Sequence, residues 1–157
     1  MKSNRIYLPV ETTRRELHSR LYFAIDAANQ NWEAIIAPKI DLYSKLKYLK
    51  TGHYLGKSIQ PDMFKVYESI CSMGHKVSAF DEEGLLSYDE SFSNRRVGKK
   101  NFKILQKYFV WGKKNFDELN NAFNVNEKLF LAGNQRVDLL KSPVNNFYKD
   151  AALKIKE

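Results

Sequence analysis

The alternation of short apolar runs with amphipathic stretches predicts an α/β chain, a Rossmann-like, doubly wound, mostly parallel sheet in a single domain over residues 1–157. Three observations carry that expectation. The apolar runs are continuous rather than alternating, as in strands buried on both faces of a parallel sheet. The stretches between them place apolar residues at helical spacing. The chain of 157 residues is long enough for one real core and too short for two comfortable ones.

The elements follow in order. Ile6-Tyr7-Leu8-Pro9-Val10 reads as the first strand. Thr13 and Glu16 form a Thr-x-x-Glu capping box for a helix whose core face is Leu17, Leu21, Ala24, Ile25 and Ala28, ending near Asn29-Gln30-Asn31. Trp32 to Ala37 is a second strand, stopped by Pro38, and Ile40, Leu42, Tyr43, Leu46 and Leu49 mark a helix closed by Thr51-Gly52. His53-Tyr54-Leu55 is a short third strand. Pro61 at the first helical position opens a helix through Phe64, Val66, Tyr67 and Ile70 to Met73-Gly74. Lys76 to Phe80 is a fourth strand, Tyr108 to Trp111 a fifth closed by Gly112, and Lys128 to Ala132 a sixth ending at Gly133-Asn134. A helix through Phe116, Leu119 and Phe123 joins the last two, and the tail from Phe147 to Ile155 reads as helical, with Pro143 before it.

Composition narrows the function. With 43% hydrophobic and 28% charged residues the chain is an ordinary folded one. No apolar run approaches the ~20 residues that span a bilayer, and the N-terminus lacks the apolar core of a signal peptide. A cytoplasmic location is expected, with the inner face of the membrane as a further option. One cysteine, Cys71, excludes a disulfide framework, and three dispersed histidines propose no metal site or cofactor. Lys and Arg number 26 against 18 Asp and Glu, a net +8. That charge suits nucleic acid, a phosphorylated carrier, a nucleotide or an acidic glycan, or is simply a basic surface.

In a doubly wound sheet the loops at the carboxyl ends of the strands carry function. After the first strand stand Glu11, Arg14 and Arg15, with no GxGxxG. They face a ligand or belong to a solvated helix start. After the fourth strand Asp81-Glu82-Glu83-Gly84 offers carboxylates to accept a proton from a sugar hydroxyl, or forms an acidic turn. Arg95, Arg96, Lys99, Lys100, Lys103 and Lys107 are a basic stretch without an acid, a phosphate clamp or a solvated helix face. No nucleic-acid motif accompanies it. After the sixth strand, Gly133, Asn134, Arg136 and Asp138 open a short helical segment, where Arg136 and Asp138 fix the loop by hydrogen bonds, the favoured role, or meet a ligand. Cys71 reads as a core thiol and His18 as a surface residue.

Four segments, in order, carry a resemblance. Ile6 to Glu11 with Arg15-Glu16-Leu17 and Ser19-Arg20-Leu21, then Asp81 to Gly84, then Val110-Trp111-Gly112, then Ala132 to Leu140 resemble the bacterial surface carbohydrate biosynthesis proteins. These are GT-B-like enzymes similar to capsule and lipopolysaccharide glycosyltransferases. Gln135 stands where that family usually has proline. The resemblance implies the N-terminal, acceptor-side half of a GT-B fold, with the donor-binding half absent or on another chain. It implies Asp81, Glu82 or Glu83 as the catalytic base, and Glu11, Arg14, Arg15, Arg95, Arg96, Trp111, Asn134 and Arg136 as ligand contacts. Its partners would be a nucleotide-sugar donor, a glycan or lipid-linked acceptor, and a C-terminal partner chain or a second copy. The alternative is a non-catalytic basic module for nucleic acid or an anionic carrier.

Overall fold

Six parallel strands form one sheet in the order β2-β1-β3-β4-β5-β6, with helices on both faces. The computed structural model describes residues 4–83 and 96–141, with Asn146 and Lys149. The predicted tail helix and the site candidate Arg95 lie outside them. The strands are β1 (Asn4–Val10), β2 (Trp32–Pro38), β3 (His53–Gly56), β4 (Lys76–Phe80), β5 (Tyr108–Val110) and β6 (Leu129–Leu131). The helices are α1 (Thr13–Asn29), α2 (Lys39–Lys45), α3 (Met63–Ser72), α4 (Lys113–Phe123) and the one-turn α5 (Gln135–Asp138). All six strand expectations hold to within two residues.

Burial follows position in the sheet. The central strands are continuous apolar runs because both faces are covered: Tyr7, Leu8, Tyr54, Leu55, Val77 and Ala79 are fully buried. At the β6 edge the pattern fails, and Phe130 and Leu131 stay about half exposed. The larger core cluster joins α2, α3 and α4 to one face through Leu42, Tyr67, Ile70 and Leu119. The smaller packs Phe23, Ala24 and Ala27 of α1 on Ile6, Leu8, Leu55 and Phe80 of the other face.

Three local expectations are corrected. The first is the face of α1: Leu21 and Ile25 point to solvent, and the helix buries Glu16, Ser19 and Arg20 instead. The capping box does not form either. Thr12 is the N-cap without a side-chain bond, and the Glu16 carboxylate reaches past it to accept the Glu11 N–H at 2.7 Å. The third concerns α3, which starts at Met63, so Pro61 lies in the preceding turn, its carbonyl accepting the Phe64 N–H.

The chain reverses its winding between β1 and β3. These strands pair only at Ile6–His53 and Tyr7–Tyr54, whereas β1 pairs with β2 over its whole length. Pro9 has no N–H with which to extend the ladder. The Tyr7 hydroxyl reinforces the short seam by donating to the Lys50 carbonyl at 2.5 Å.

Gly56 ends β3 in close contact with Tyr67. A Cβ there would overlap the Tyr67 hydroxyl and lie 2.8 Å from its Cζ. That hydroxyl donates to the Ser58 carbonyl at 2.5 Å and fixes the loop leaving β3. Gly56→Ala is therefore expected to destabilise the fold by about 1–3 kcal/mol, the usual cost of overpacking, read as a lower urea midpoint at unchanged slope.

Candidate functional site

The ends of β1, β3 and β4 converge on a cavity of about 300 Å³ at the point where the winding reverses. Its lining includes Glu11 and Arg15 after β1, Lys57 and Ser58 after β3, Glu82 and Glu83 after β4, and Arg136 of α5. A larger hollow of about 440 Å³ lies over the face of the sheet beside α1. Phe23, Trp32, Phe80, Phe109 and Phe130 make it mainly aromatic, with Asp26, Asp138 and the hydrogen-bonded His53–Ser78 pair among its polar groups; among the described residues no lysine or arginine lines it.

Beneath the cavity lies a buried ion pair. Arg20 is fully buried, and its Nη2 donates to Glu82 Oε1 at 2.7 Å. Glu82 is further fixed by its backbone. Its N–H donates to the Lys57 carbonyl at 3.3 Å, and its carbonyl accepts from Arg136 Nη2 at 2.7 Å. One residue thus ties α1, the end of β3 and α5 together. Burial pushes the Glu82 carboxyl above the usual carboxylate range, against the opposing charge of Arg20. Burial also holds the Arg20 guanidinium below the usual arginine range, with Glu82 and Glu16 acting against it.

The second organiser is Glu16, which is 1% exposed. Its Oε1 accepts from Arg15 at 3.0 Å and from Lys57 at 3.1 Å, while its Oε2 accepts the Glu11 N–H. Glu11, about half exposed, pairs with Lys39 at 3.1 Å and also with Lys57. Burial lowers Lys57 from the usual lysine range despite the acids around it.

The three consecutive acids go separate ways. Asp81 does not line the cavity. It is 4% exposed, pairs with Arg96 at 2.6 Å, and takes the Trp111 indole N–H on its carbonyl. Burial raises its carboxyl, with Arg96 opposing. Glu82 turns toward α1, and Glu83 is exposed at the cavity.

Of the expected ligand contacts, Glu11, Arg15 and Arg136 reach the cavity and Arg14 does not. Arg96 and Trp111 hold the end of β4 instead, Arg96 also donating to the Glu83 carbonyl at 2.6 Å. Asn134 caps α5, its Oδ1 accepting the Arg136 N–H at 2.9 Å. Lys99, Lys100, Lys103 and Lys107 are exposed and none lines the cavity.

Sequence reasoning missed Lys39, Lys57 and Asn101. Asn101 is fully buried and donates to the Ile59 and Gln60 carbonyls at 2.9 and 3.0 Å, shaping the loop that forms the cavity wall. Among the described residues no cluster of His, Cys, Asp or Glu is placed to hold a metal ion, and no helix is long and apolar enough to cross a membrane.

The sheet order and the cavity at its reversal define a doubly wound α/β domain with a polar site at the switch point. Neither a protein-family model nor a curated protein matches the sequence. Among solved structures the chain is similar to a Listeria monocytogenes protein assigned as a UDP-N-acetylglucosamine 2-epimerase, with a TM-score of 0.57 and 11% identity. The match covers 94% of this chain and 51% of that one, so this chain spans about half the length of its structural neighbour. At that identity the likeness concerns the fold.

Two predictions follow from the buried charges. Arg20→Met leaves Glu82 buried without its partner and is expected to cost about 3–5 kcal/mol in urea unfolding, with the double change Arg20→Met, Glu82→Leu recovering much of it. The second is a pH effect. With carboxyls raised above their unfolded values, the folded chain binds protons more tightly than the unfolded one. Their contribution to stability is full below the unfolded range and is lost as pH rises through the raised values. Asp81→Asn should therefore flatten the decline in stability as pH rises above the ordinary carboxylate range, as read by melts at each pH.

Proposed function

We propose that this chain is the acceptor-side half of a GT-B-like sugar enzyme, a glycosyltransferase of surface polysaccharide assembly whose nucleotide-sugar donor binds to a second half. One observation supports this reading above the rest. At the switch point, where such sheets bind ligands, carboxylates, cations and small polar side chains line one open cavity. The likeness to half of a protein assigned to UDP-N-acetylglucosamine agrees with a sugar-related role.

In this reading Glu82 is the base. It lines the cavity, burial raises its proton affinity, and Arg20 fixes its carboxylate. It would take the proton from an acceptor hydroxyl as that oxygen bonds to the anomeric carbon of the donor sugar and the nucleotide leaves with its phosphate oxygen. Arg136 and the Lys57 backbone hold Glu82 in place, which is the positioning such a step needs. Asp81, paired beneath the turn with Arg96, would set the end of β4 rather than touch substrate.

The test is amide-shift mapping with a panel of neutral mono- and disaccharides. Saturable shifts are expected at Glu11, Lys57, Ser58, Glu82 and Arg136; their absence across the panel would sink the reading. With a donor-binding half supplied, Glu82→Gln is expected to lower turnover by about 10²–10⁴-fold and to abolish the rise of rate with pH, at nearly unchanged saccharide affinity. Turnover by the lone chain would contradict the half-enzyme assignment.

A further inference from the structure

In an open α/β sheet the natural anion position is the start of the helix that follows a central strand at the switch point. Here that position is α1, after β1. Beside it the chain places two of its own carboxylates, one just ahead of the helix and one between two lysines of the cavity. Glu16 folds back to take the Glu11 N–H, and also holds Arg15 and Lys57. Glu11 takes Lys39 and shares Lys57. Every cation lining the cavity is engaged, since Arg136 donates to the Glu82 carbonyl. Among the described residues the lining holds four cations, Arg15, Lys39, Lys57 and Arg136, and four acids, Glu11, Asp62, Glu82 and Glu83. The described lining thus has no net formal charge, in a chain that carries +8.

We infer that this cavity receives an uncharged, hydroxyl-rich group and rejects phosphate, with Glu11 as the residue that sets the discrimination. The naming of the ligand as a sugar rests on the proposed function; the exclusion of phosphate by Glu11 does not. A phosphoryl group entering between Lys39 and Lys57 must displace the Glu11 carboxylate and then lie beside it, and two anions sharing one site repel. Hydroxyls meet no such conflict. Each can donate to a carboxylate while accepting from a lysine or arginine, so a polyol inserts into existing ion pairs without breaking the charge balance. Ser58 and Gln60 add neutral partners on the same wall. Glu11 thus already fills the anion position between Lys39 and Lys57, and the donor's phosphates belong on another surface.

The experiment uses inorganic pyrophosphate and the neutral methyl glycoside of N-acetylglucosamine as probes, in about 0.15 M salt, where long-range surface attraction is screened. Amide shifts are followed in the wild type, in Glu11→Gln, and in Glu11→Gln with Lys57→Met. Glu11 is about half exposed, so its replacement leaves no buried void. Pyrophosphate is expected to leave the wild-type cavity amides unmoved. In Glu11→Gln it should bind at least about tenfold more tightly, and the added Lys57→Met should remove that gain. Saturable pyrophosphate shifts in the wild-type cavity, or no gain in Glu11→Gln, would overturn the inference. If Glu11→Gln gains pyrophosphate affinity while the glycoside moves no cavity amide in any form, Glu11 stands as the anion-excluding residue and the sugar reading falls.

Discussion

The pairing of Arg20 with Glu82 is the constraint on which the site depends. A fully buried guanidinium is tolerated only where a carboxylate meets it, and here the carboxylate comes from the far side of the seam between β1 and β3. The pair fixes the rotation of α1, with Arg20 on the face turned toward the sheet and Leu21 and Ile25 turned away. It also fixes Glu82, whose backbone then organises the loop after β3 and the start of α5. α1 meets Glu82 through its charge, and the end of β3 and α5 meet it through its backbone.

Around it the acids divide their labour by geometry. Successive residues leaving a strand project in different directions. Asp81 goes under the turn to Arg96, Glu82 to α1, and Glu83 to solvent. Three adjacent carboxylates therefore have three surroundings, and only the middle one is both held by a buried partner and open to the cavity.

Much of the fold was legible because strand burial writes itself into continuous apolar runs. Val77 to Phe80 and Ile6 to Val10 could be placed from hydropathy alone. The face of α1 was only partly legible: its inward side is mixed, Phe23, Ala24 and Ala27 beside buried Glu16, Ser19 and Arg20, and hydrophobic periodicity points away from an arginine that packs inside. Glu16 was misread because a Thr-x-x-Glu spacing matches a local cap, while its carboxylate serves the Glu11 N–H ahead of the helix, Arg15 and a lysine from the loop after β3. Lys39 and Lys57 carry no motif. They matter because the topology brings the ends of β2 and β3 beside that of β1, which periodicity does not encode. The net charge misleads in the same way: a total of +8 says nothing of a cavity whose own charges cancel.

The short seam between β1 and β3 has a mechanical consequence. A sheet is stiff where its ladders are long and compliant where they are short, and here two residue pairs join a fully laddered β1–β2 edge to the rest. The β4–β5 ladder is equally short, so the sheet has two such lines. The cavity opens on the β1–β3 line, with Glu11 on one bank and Lys57 on the other. Both core clusters cross the same line, Tyr7 packing with Tyr54 and Val77 on one face and Leu8 with Leu55 on the other, so the seam is closed by side chains where backbone bonds are few. The Arg20–Glu82 pair crosses it as well, a charge contact doing the work of missing ladder bonds.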